Sequence, residues 1–396
     1  MNIAIISGTA SGGHPSYVRE VVRALFRRGK EVGVEVHLLA AKNLEEQFLF
    51  QEYPIYTILP PPPTRKRQSL LRFRLIQLRS QLLSERICLN WLNLHPAVKA
   101  VHFQDYFLTT SFIHIRDYKR LGKAIFHTVH NIRPHRYPSV PHGLIDTLAR
   151  LTWRSCDHLF VHAQSLKTAL HSFLNANPPP ISVVPHGMFQ VPTLKQPVDL
   201  SARLAKKKLL FFGGVRRDKG LHCALAMMPY LPDFSLTIAG EPLDTTYWER
   251  ELMPAIVKLR GSGTAIQVIP QFIPEGSLAQ MFSEHSLALL PYTSQFAAQS
   301  GVLSLAIGLN TPIVATTAGG IADTLGRFPI GEVVEPENPF ALSQAVRRLY
   351  TRDTDELQAS LSCAQHSLTW EEHARVVCDT YLNPAREPHT SSKTAP

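Results

Sequence analysis

The chain alternates short apolar runs with longer segments in which apolar residues recur every three to four positions. The first run, Asn2–Ile6, precedes a loop of Gly, Ser and Thr at Ser7–Gly13 and a helical pattern over Ser16–Arg28, which Gly29 closes. A second apolar run, Val34–Ala40, comes next. This order predicts a strand, a helix and a parallel strand, and it recurs along most of the chain. The pattern therefore predicts an α/β fold with parallel sheets covered by helices on both faces.

Further apolar runs predict strands on both sides of a break in this pattern. They are Tyr56–Leu59, Ala100–Phe103, Ala124–Val129, His158–His162 and Ile181–Pro185 before the break, and Leu209–Phe212, Ser235–Ala239, Ile266–Ile269, Leu287–Leu290 and Ile313–Ala315 after it. The break, Pro192–Lys208, is rich in Pro, Lys and Ala and lacks periodicity, which indicates a linker. A chain of 396 residues also exceeds what one core usually fills. We therefore expect one domain over 1–191, a linker over 192–208, a second domain over 209–366 and a disordered tail over 385–396.

A candidate phosphate site lies at the start of the second domain, in the stretch LLFFGGVRRDKGL (Leu209–Leu221). A strand ends in Gly213 and Gly214, the chain passes Arg216 and Lys219, and a helical pattern begins. Glycines let an anion approach the backbone, a helix start presents N–H groups, and Arg and Lys add donors and charge. The same stretch is also compatible with an ordinary turn that carries solvated basic residues.

Composition and charge reduce the number of possible functions without identifying one. The chain is 44% apolar and 18% charged, with a formal charge of +10. A basic protein can bind nucleic acid, an anionic membrane or a phosphorylated substrate, but no long Lys-rich arm and no paired Cys/His spacing points to nucleic acid. The five scattered cysteines indicate reduced, mostly buried thiols in the cytoplasm. No apolar run reaches the ~20 residues that span a bilayer, so we expect a soluble or peripheral protein.

A basic amphipathic segment, Thr64–Ile87, follows four consecutive prolines. The apolar stripe consists of Leu71, Leu75, Leu78 and Leu82, and arginines crowd the remaining positions. Such a helix can lie on the anionic inner face of a membrane, which would suit a lipid-linked acceptor. It can equally cover a domain surface with its stripe in the core, and the sequence does not decide between the two.

Histidines at strand ends form a second candidate site in the first domain. The stretch HTVHN (His127–Asn131) ends a buried strand, as does His102. Ligands of a doubly wound fold bind at the carboxyl edge of the sheet, where an imidazole can hydrogen-bond a hydroxyl or a phosphate. His130 is the preferred candidate, although most of the 18 histidines must be structural.

Taken in order, the motifs resemble retaining glycosyltransferases of the two-Rossmann GT-B architecture, in the group called glycosyltransferase family 4. In the first half they are SGGHPSYVREVVRALFRRG, HTVHN and VVPHG. In the second they are FFGGVRRDKG, LTIAGEP, IPQFIPEGSLAQMF, LLPYTSQFAAQSGVLSLAIGLNTPIVATTAGG and SLTWEEHA. The resemblance implies two doubly wound domains facing a cleft, with a helix at 367–384 that returns to the first domain. It also implies sugar transfer from a nucleoside-diphosphate sugar to a glycan or lipid-linked hydroxyl, in cell-surface polysaccharide or glycolipid synthesis.

The resemblance assigns a role to individual residues. Arg216 and Lys219 match the pair that grips the donor diphosphate, and His130 matches the histidine near the transferred sugar. The remaining donor-binding positions are Gly12, Gly13, Gly213, Gly214, Gln271, Phe272, Ile273, Gln299, Ser300 and Gly301. Ser300 and Gly301 match a loop that meets the distal phosphate, and Gln271–Ile273 resembles the segment that reads the base.

The sequence also departs from the family pattern at three positions. Many members carry two glutamates with seven residues between them, where this chain has Ala297 and Leu305, and many carry Arg where it has Gly214. The chain resembles instead a subgroup with a Gln-Ser-Gly loop and the arginine at Arg216. Donor-sugar contacts inferred from the glutamates therefore do not transfer to this chain.

Fixed cations can stabilise the negative charge that develops on a nucleoside-diphosphate leaving group. Because Arg216 and Lys219 would supply that charge, we expect no metal and no cofactor. The resemblance to retaining enzymes implies transfer with retention. Three alternatives stay open: a sugar-nucleotide epimerase of the same fold, a non-catalytic module that binds a membrane or partner, and a nucleic-acid binder. An epimerase would need carboxylates beside the histidines, for which Asp105 and Glu241 are candidates.

Overall fold

The computed structural model describes residues 1–10, 13–44, 53–63, 69–104, 108–132, 142–175, 177–189 and 199–384. The chain divides into two compact units. The first comprises Met1–Pro185 and Trp370–Pro396, and the second comprises His186–Thr369. The predicted tail, 385–396, lies outside the described residues.

Each unit contains one parallel sheet. The first sheet is formed by β1 (Asn2–Ser7), β2 (Glu35–Ala41), β3 (Ile55–Leu59), β4 (Val98–Phe103), β5 (Ala124–Thr128), β6 (His158–Val161) and β7 (Ile181–Val183). The second is formed by β8 (Lys208–Phe212), β9 (Ser235–Ala239), β10 (Ile266–Ile269), β11 (Leu287–Leu290), β12 (Ile313–Thr316) and β13 (Gly331–Val334). The strand orders are β3-β2-β1-β4-β5-β6-β7 and β10-β9-β8-β11-β12-β13. Both orders reverse direction once, between β1 and β4 and between β8 and β11, as in doubly wound folds.

Helices connect the strands in both units. Those of the first half are α1 (Gly13–Val32), α2 (Leu70–Leu94), α3 (Leu108–Arg120), α4 (His142–Arg154) and α5 (Gln164–Leu174). Those of the second half are α6 (Leu200–Leu204), α7 (Leu221–Met227), α8 (Thr245–Tyr247), α9 (Met253–Gly261), α10 (Glu275–Glu284), α11 (Gly301–Gly308), α12 (Ile321–Arg327), α13 (Pro339–Leu349), α14 (Thr354–Ser367) and α15 (Trp370–Leu382). A π-helical turn, Trp248–Leu252, joins α8 to α9.

The burial of the central strands explains why they can be recognised in the sequence. Ile3 and Ile5 of β1 and Leu209–Phe211 of β8 are buried, because helices cover both faces of the sheet. A strand buried on both faces reads as a continuous apolar run rather than an alternating one. The α/β prediction with two doubly wound sheets is confirmed.

The last helix, α15, is part of the first unit although it follows the whole second unit in the chain. It packs against α1. Trp370, Val377 and Tyr381 are buried, and the ring of Tyr381 meets that of Phe126 on β5 edge to face at 4.9 Å. The C-terminal helix is therefore a core element of the first unit.

The structure corrects part of the predicted linker. Residues 190–198 lie outside the described part of the chain, but Leu200–Leu204 form α6 and Lys208 begins β8. Arg203 of α6 is buried and donates to the main-chain oxygens of His285 at 2.7 Å and Asn310 at 2.8 Å. A five-residue helix is too short to show a period, so its place in the core could not be read from the sequence.

Gly29 does not end α1, which continues to Val32. A Cβ at Gly29 would lie 2.2 Å from the carbonyl oxygen of Val34. The backbone of Val34 also donates to the oxygen of Gly29 at 2.9 Å. This glycine is explained by the close approach of the following chain rather than by helix termination.

Within the part of the chain that the structure describes, none of the helices combines the length and apolar character that crossing a bilayer requires. All five cysteines are free, and four of them are buried, Cys363 being exposed. The prediction of reduced, mostly buried thiols agrees with this arrangement.

Candidate functional site

The topology of the second unit brings two loops together at the carboxyl edge of its sheet. The loop after β8 begins at Gly213, and the loop after β11 leads to α11. Because β8 and β11 are hydrogen-bonded neighbours at the point where the strand order reverses, their loops flank one crevice. This is the position at which doubly wound folds bind ligands.

The loop after β8 depends on glycine at two places. Gly213 has a φ of +102°, and Gly220 has a φ of +66°. A Cβ at Gly220 would lie 1.8 Å from the carbonyl oxygen of Pro291, directly after β11. The short 3₁₀ turn Arg217–Lys219 lies between them, and α7 begins at Leu221. The predicted order of strand, glycine turn and helix is observed.

Lys219 is held against two aromatic rings in this loop. Its ammonium nitrogen lies 3.8 Å from the ring centre of Tyr292 and 4.4 Å from that of Phe296. The side chain as a whole is partly exposed, but burial of the ammonium group, followed by the charge of Arg216, lowers the pKa of Lys219 to about 7. The side chain thus changes charge near neutral pH.

Arg216 is oriented by an acid two residues further along the chain. Its Nε and Nη2 donate to the two carboxylate oxygens of Asp218, both at 3.0 Å. The bidentate pair fixes the plane of the guanidinium and leaves its other donors available on that plane. Arg217, by contrast, is exposed, pairs with Glu251 and lies over the ring of Tyr247 at 4.7 Å.

Ser300 and Gly301 lie at the start of α11. Ser300 is buried and caps the helix, its hydroxyl oxygen accepting from the N–H of Leu303 at 3.4 Å. The same hydroxyl lies 2.9 Å from that of Tyr292. The first N–H groups of an α-helix have no partner inside it, so this helix start can bind an anion.

The other predicted donor positions in the second unit differ in exposure. Gln271 and Phe272 are exposed after β10, the latter by 66%, whereas Ile273 is buried in the core. Gln299 is half-buried and donates to the hydroxyl of Thr324 at 3.4 Å. Gly214 lies beside Leu243, and a Cβ added to this glycine would be 2.6 Å from Cδ1 of that leucine.

The histidine site in the first unit is a cluster of rings around Tyr17 of α1. The ring centre of His130 lies 4.7 Å from that of Tyr17, 5.1 Å from that of His14 and 5.4 Å from that of His162. Tyr17 is buried, and His130 is half-buried. His102 is instead buried in the core, where its Nε2 hydrogen-bonds Thr128 at 2.8 Å, so its predicted place facing a ligand is wrong.

Of the two glycines predicted in the first loop, Gly13 is the first residue of α1, and Gly12 lies outside the described residues. Asp105 also lies outside them. The residues that sequence reasoning missed are Tyr292, Phe296 and Asp218. Tyr292 could have been noticed, because it follows a buried strand by two positions, where side chains reach a ligand crevice.

Two family models match the chain in succession. The model described as Glycosyltransferase Family 4 matches residues 11–188, and the model described as Glycosyl transferases group 1 matches residues 206–352. Together they span most of the chain and both units. The chain therefore belongs to the glycosyltransferases, and within them it is a family 4-like member with the GT-B fold.

Relatives and solved structures agree with this assignment. A D-inositol 3-phosphate glycosyltransferase from Corynebacterium urealyticum is 23% identical over 191 residues, which is 46% of this chain and 44% of that protein. One of the same name from Acidothermus cellulolyticus is 23% identical over 367 residues, which is 86% of this chain and 78% of that protein. The chain thus spans less than half the length of the first of these relatives.

Two solved structures share the fold across nearly the whole chain. A sucrose-phosphate synthase from Thermosynechococcus elongatus matches with a TM-score of 0.72 at 18% identity. The match covers 96% of this chain and 98% of the synthase chain. HepE from Anabaena, in complex with UDP-glucose, matches with a TM-score of 0.68 at 15% identity. The match covers 96% of this chain and 99% of the HepE chain. At these identities the likeness concerns the fold.

Proposed function

We propose that this glycosyltransferase moves a sugar from a nucleoside-diphosphate sugar to a hydroxyl acceptor, with retention of configuration. The observation that carries the proposal is the convergence of Arg216, Lys219 and the start of α11 at the strand-order reversal of the second unit. This convergence supplies a cationic fork, an ammonium and helix N–H groups to one crevice. Membership of a glycosyltransferase family favours sugar transfer over the epimerase and the non-catalytic alternatives.

The proposed chemistry follows from the negative charge that develops on the leaving group. Cleavage of a sugar–phosphate bond leaves negative charge on the diphosphate, and fixed donors that meet this charge lower the barrier. Lys219, Arg216, Ser300 and Gly301 would bind the diphosphate, with Gly213, Gly214 and Gln299 lining the crevice. We propose that Gln271–Ile273 contacts the base and that His130, with Gly12 and Gly13, lies near the transferred sugar. The leaving phosphate would accept the proton of the attacking hydroxyl.

We propose a uridine nucleotide as the donor, because a neighbour of the same fold is named as a complex with UDP-glucose. A nucleotide that binds only the folded protein raises its stability by RT ln(1 + [L]/Kd). We expect 100 Kd of UDP to stabilise the protein by about 2.7 kcal/mol in thermal unfolding, with GDP and ADP compared in parallel.

Lys219→Met is the control for this measurement, since it removes the ammonium and should remove most of the UDP effect. If none of the three nucleotides raises the melting temperature of the unaltered protein, the donor proposal is wrong. If only GDP or only ADP raises the melting temperature, the proposal of a uridine base is wrong, and the proposal of a nucleoside-diphosphate donor is kept.

We propose a glycan or a lipid-linked molecule of cell-surface polysaccharide or glycolipid synthesis as the acceptor. The support is the surface of α2. Leu75 is 52% exposed and Leu78 is 40% exposed, so these two leucines of the stripe are not in the core, whereas Leu82 is half-buried. Arg72, Arg79 and Arg86 are exposed as well and follow one another at intervals of seven residues. Thr64–Gln68 of the predicted segment lie outside the described residues.

This exposed face of α2 has the properties of a helix that lies on an anionic membrane. Residues seven apart lie on one side of a helix, so the arginines form a row beside the exposed leucines. Leucines can enter the interface between headgroups and acyl chains, while each arginine near an anionic surface contributes about 1 kcal/mol. We propose that α2 holds the protein at the inner face of the cell membrane.

Leu75→Glu should reduce co-sedimentation with vesicles of mixed phosphatidylglycerol and phosphatidylcholine at least fivefold. The added carboxylate is costly to insert among the acyl chains, and the anionic headgroups repel it. Val257→Glu, at a residue 63% exposed on α9, is the matched control and should leave binding unchanged. The unaltered protein should bind pure phosphatidylcholine weakly. Equal binding to both kinds of vesicle, or equal loss in both variants, would argue against the proposed surface.

A further inference from the structure

Tyr292 lies between the two halves of the candidate phosphate site. It follows β11, is 1% exposed, and precedes the loop that leads to α11. One half of the site is the turn that carries Arg216 and Lys219, and the other is the helix start at Ser300. A single buried side chain in this position can link both halves.

The ring of Tyr292 contacts the first half. Its centre is 3.8 Å from the ammonium nitrogen of Lys219, within the range of a cation–π interaction. The ring of Phe296 lies next to that of Tyr292, with its centre 4.4 Å from the ammonium nitrogen. The two ring centres are 4.6 Å apart, with an interplanar angle of 62°. The two rings restrict the positions that the ammonium can take.

The hydroxyl of Tyr292 contacts the second half, at 2.9 Å from the hydroxyl of Ser300. Burial raises the pKa of the Tyr292 phenol, so its proton stays available for donation. When Tyr292 donates, the oxygen of Ser300 accepts from Tyr292 and from the N–H of Leu303. The hydroxyl proton of Ser300 is then free to point toward an acceptor beyond the helix start.

The backbone around Tyr292 is held by two hydrogen bonds and lies close to the backbone of Gly220. Its carbonyl oxygen accepts from the hydroxyl of Thr316 at 2.6 Å. The N–H of Thr293 donates to the carbonyl oxygen of Asp218 at 3.0 Å, which ties this loop to the turn of Lys219. The oxygen of Pro291 lies where a side chain on Gly220 would begin. The tyrosine is therefore held rigidly relative to both halves.

We propose that Tyr292 is a positioning residue that sets the geometry between Lys219 and Ser300, so that both can meet one diphosphate. The proposal rests on the proposed function, because it assumes that this crevice binds the donor. Tyr292 touches neither substrate nor reacting atoms in this role. It acts through its ring on the ammonium and through its hydroxyl on the serine.

A merely structural tyrosine would behave differently on loss of its hydroxyl. The chain offers such a tyrosine in Tyr247, which is also 1% exposed. Its ring lies under Arg217 at 4.7 Å, and its hydroxyl hydrogen-bonds Nδ1 of His222 at 2.7 Å. Tyr247→Phe thus removes a buried hydroxyl next to a cation without touching the residues assigned to the phosphate site.

The test compares the UDP affinities of Tyr292→Phe, Ser300→Ala, the double variant and Tyr247→Phe by titration calorimetry, with far-UV circular dichroism to confirm folding. Loss of one hydrogen bond changes a binding constant by about fivefold. We expect Tyr292→Phe and Ser300→Ala each to weaken UDP binding about fivefold, the double variant to be no weaker than Ser300→Ala, and Tyr247→Phe to bind normally.

Additive losses in the double variant, or a loss in Tyr247→Phe equal to that in Tyr292→Phe, would overturn the positioning role while leaving the donor proposal in place. Failure of the unaltered protein to bind UDP, GDP or ADP would overturn both. A conservative second variant, Phe296→Leu, reports on the ring contact. It should raise KM for the donor more than it lowers kcat, because it loosens Lys219 without removing it.

Discussion

Lys219→Met should lower the rate of sugar transfer by about 10²–10³ while leaving the melting temperature unchanged or slightly higher. The rate falls because one fixed cation no longer meets the charge that develops on the diphosphate. Stability does not fall because the folded protein holds the ammonium less favourably than water does, as its lowered pKa shows. Methionine keeps an unbranched side chain against the rings of Tyr292 and Phe296. Initial rates at saturating donor and thermal unfolding measure the two effects.

Arg217→Ala is the matched control for this prediction. It removes a cation from the same turn, but one that is exposed and already paired with Glu251. Surface pairs of this kind contribute little to stability, so both rate and melting temperature should change only slightly. Similar rates in Lys219→Met and in the unaltered protein would contradict the proposed role of Lys219.

The same lysine makes donor binding depend on pH. Below its pKa of about 7 the ammonium is charged before the ligand arrives, and above that pH it must take up a proton on binding. The affinity for UDP should therefore fall by up to tenfold per unit as pH rises from 7 to 9. The Lys219→Met variant should show weak affinity with no such slope.

Gly220→Ala should lower both the stability of the protein and the rate of sugar transfer. A residue other than glycine at φ +66° costs about 1–2 kcal/mol, and here the added Cβ would also lie 1.8 Å from the oxygen of Pro291. The turn must shift to relieve that contact and takes the neighbouring Lys219 with it. A displacement of about 1 Å at a reacting site can lower the rate 10²-fold. Unfolding in urea and transfer assays measure the two losses.

Gly122→Ala is the matched control, because Gly122 has the same φ of +66° and no atom within 4 Å of the added Cβ. It should cost only the conformational ~1–2 kcal/mol and leave the transfer rate unchanged. If Gly220→Ala destabilises the protein no more than Gly122→Ala does, the close approach of the two loops is not a constraint on folding.

The sequence predicts the strands well because each is buried on both faces. Leu209–Phe212 and Leu287–Leu290 carry no polar residue, so their apolar runs identify them without knowledge of the tertiary structure. The glycine turn after Leu209–Phe212 can also be predicted from the sequence, since positive φ values at Gly213 and Gly220 favour glycine. Local requirements of the backbone thus predict most of the fold and one half of the site.

Features that depend on contacts across the fold could not be predicted in the same way. Nothing in the spacing of Lys219, Tyr292 and Phe296 indicates that one ammonium contacts both rings, because the contact joins loops after different strands. The burial of α6 depends on Arg203 reaching carbonyl oxygens 82 and 107 residues away. On α2, Leu75 and the arginine row share one arc, so periodicity alone does not tell whether that arc faces the core or solvent.

The placement of α15 in the first unit determines the order in which the chain can fold as it is synthesised. The ribosome releases β1–β7 long before it releases Trp370–Leu382, whose Trp370, Val377 and Tyr381 complete the same core. Domains of a growing chain generally fold as units from the N-terminal end. In this protein the first unit stays incomplete until α15 has been synthesised, so we expect the second unit to be the earlier of the two to reach its final packing.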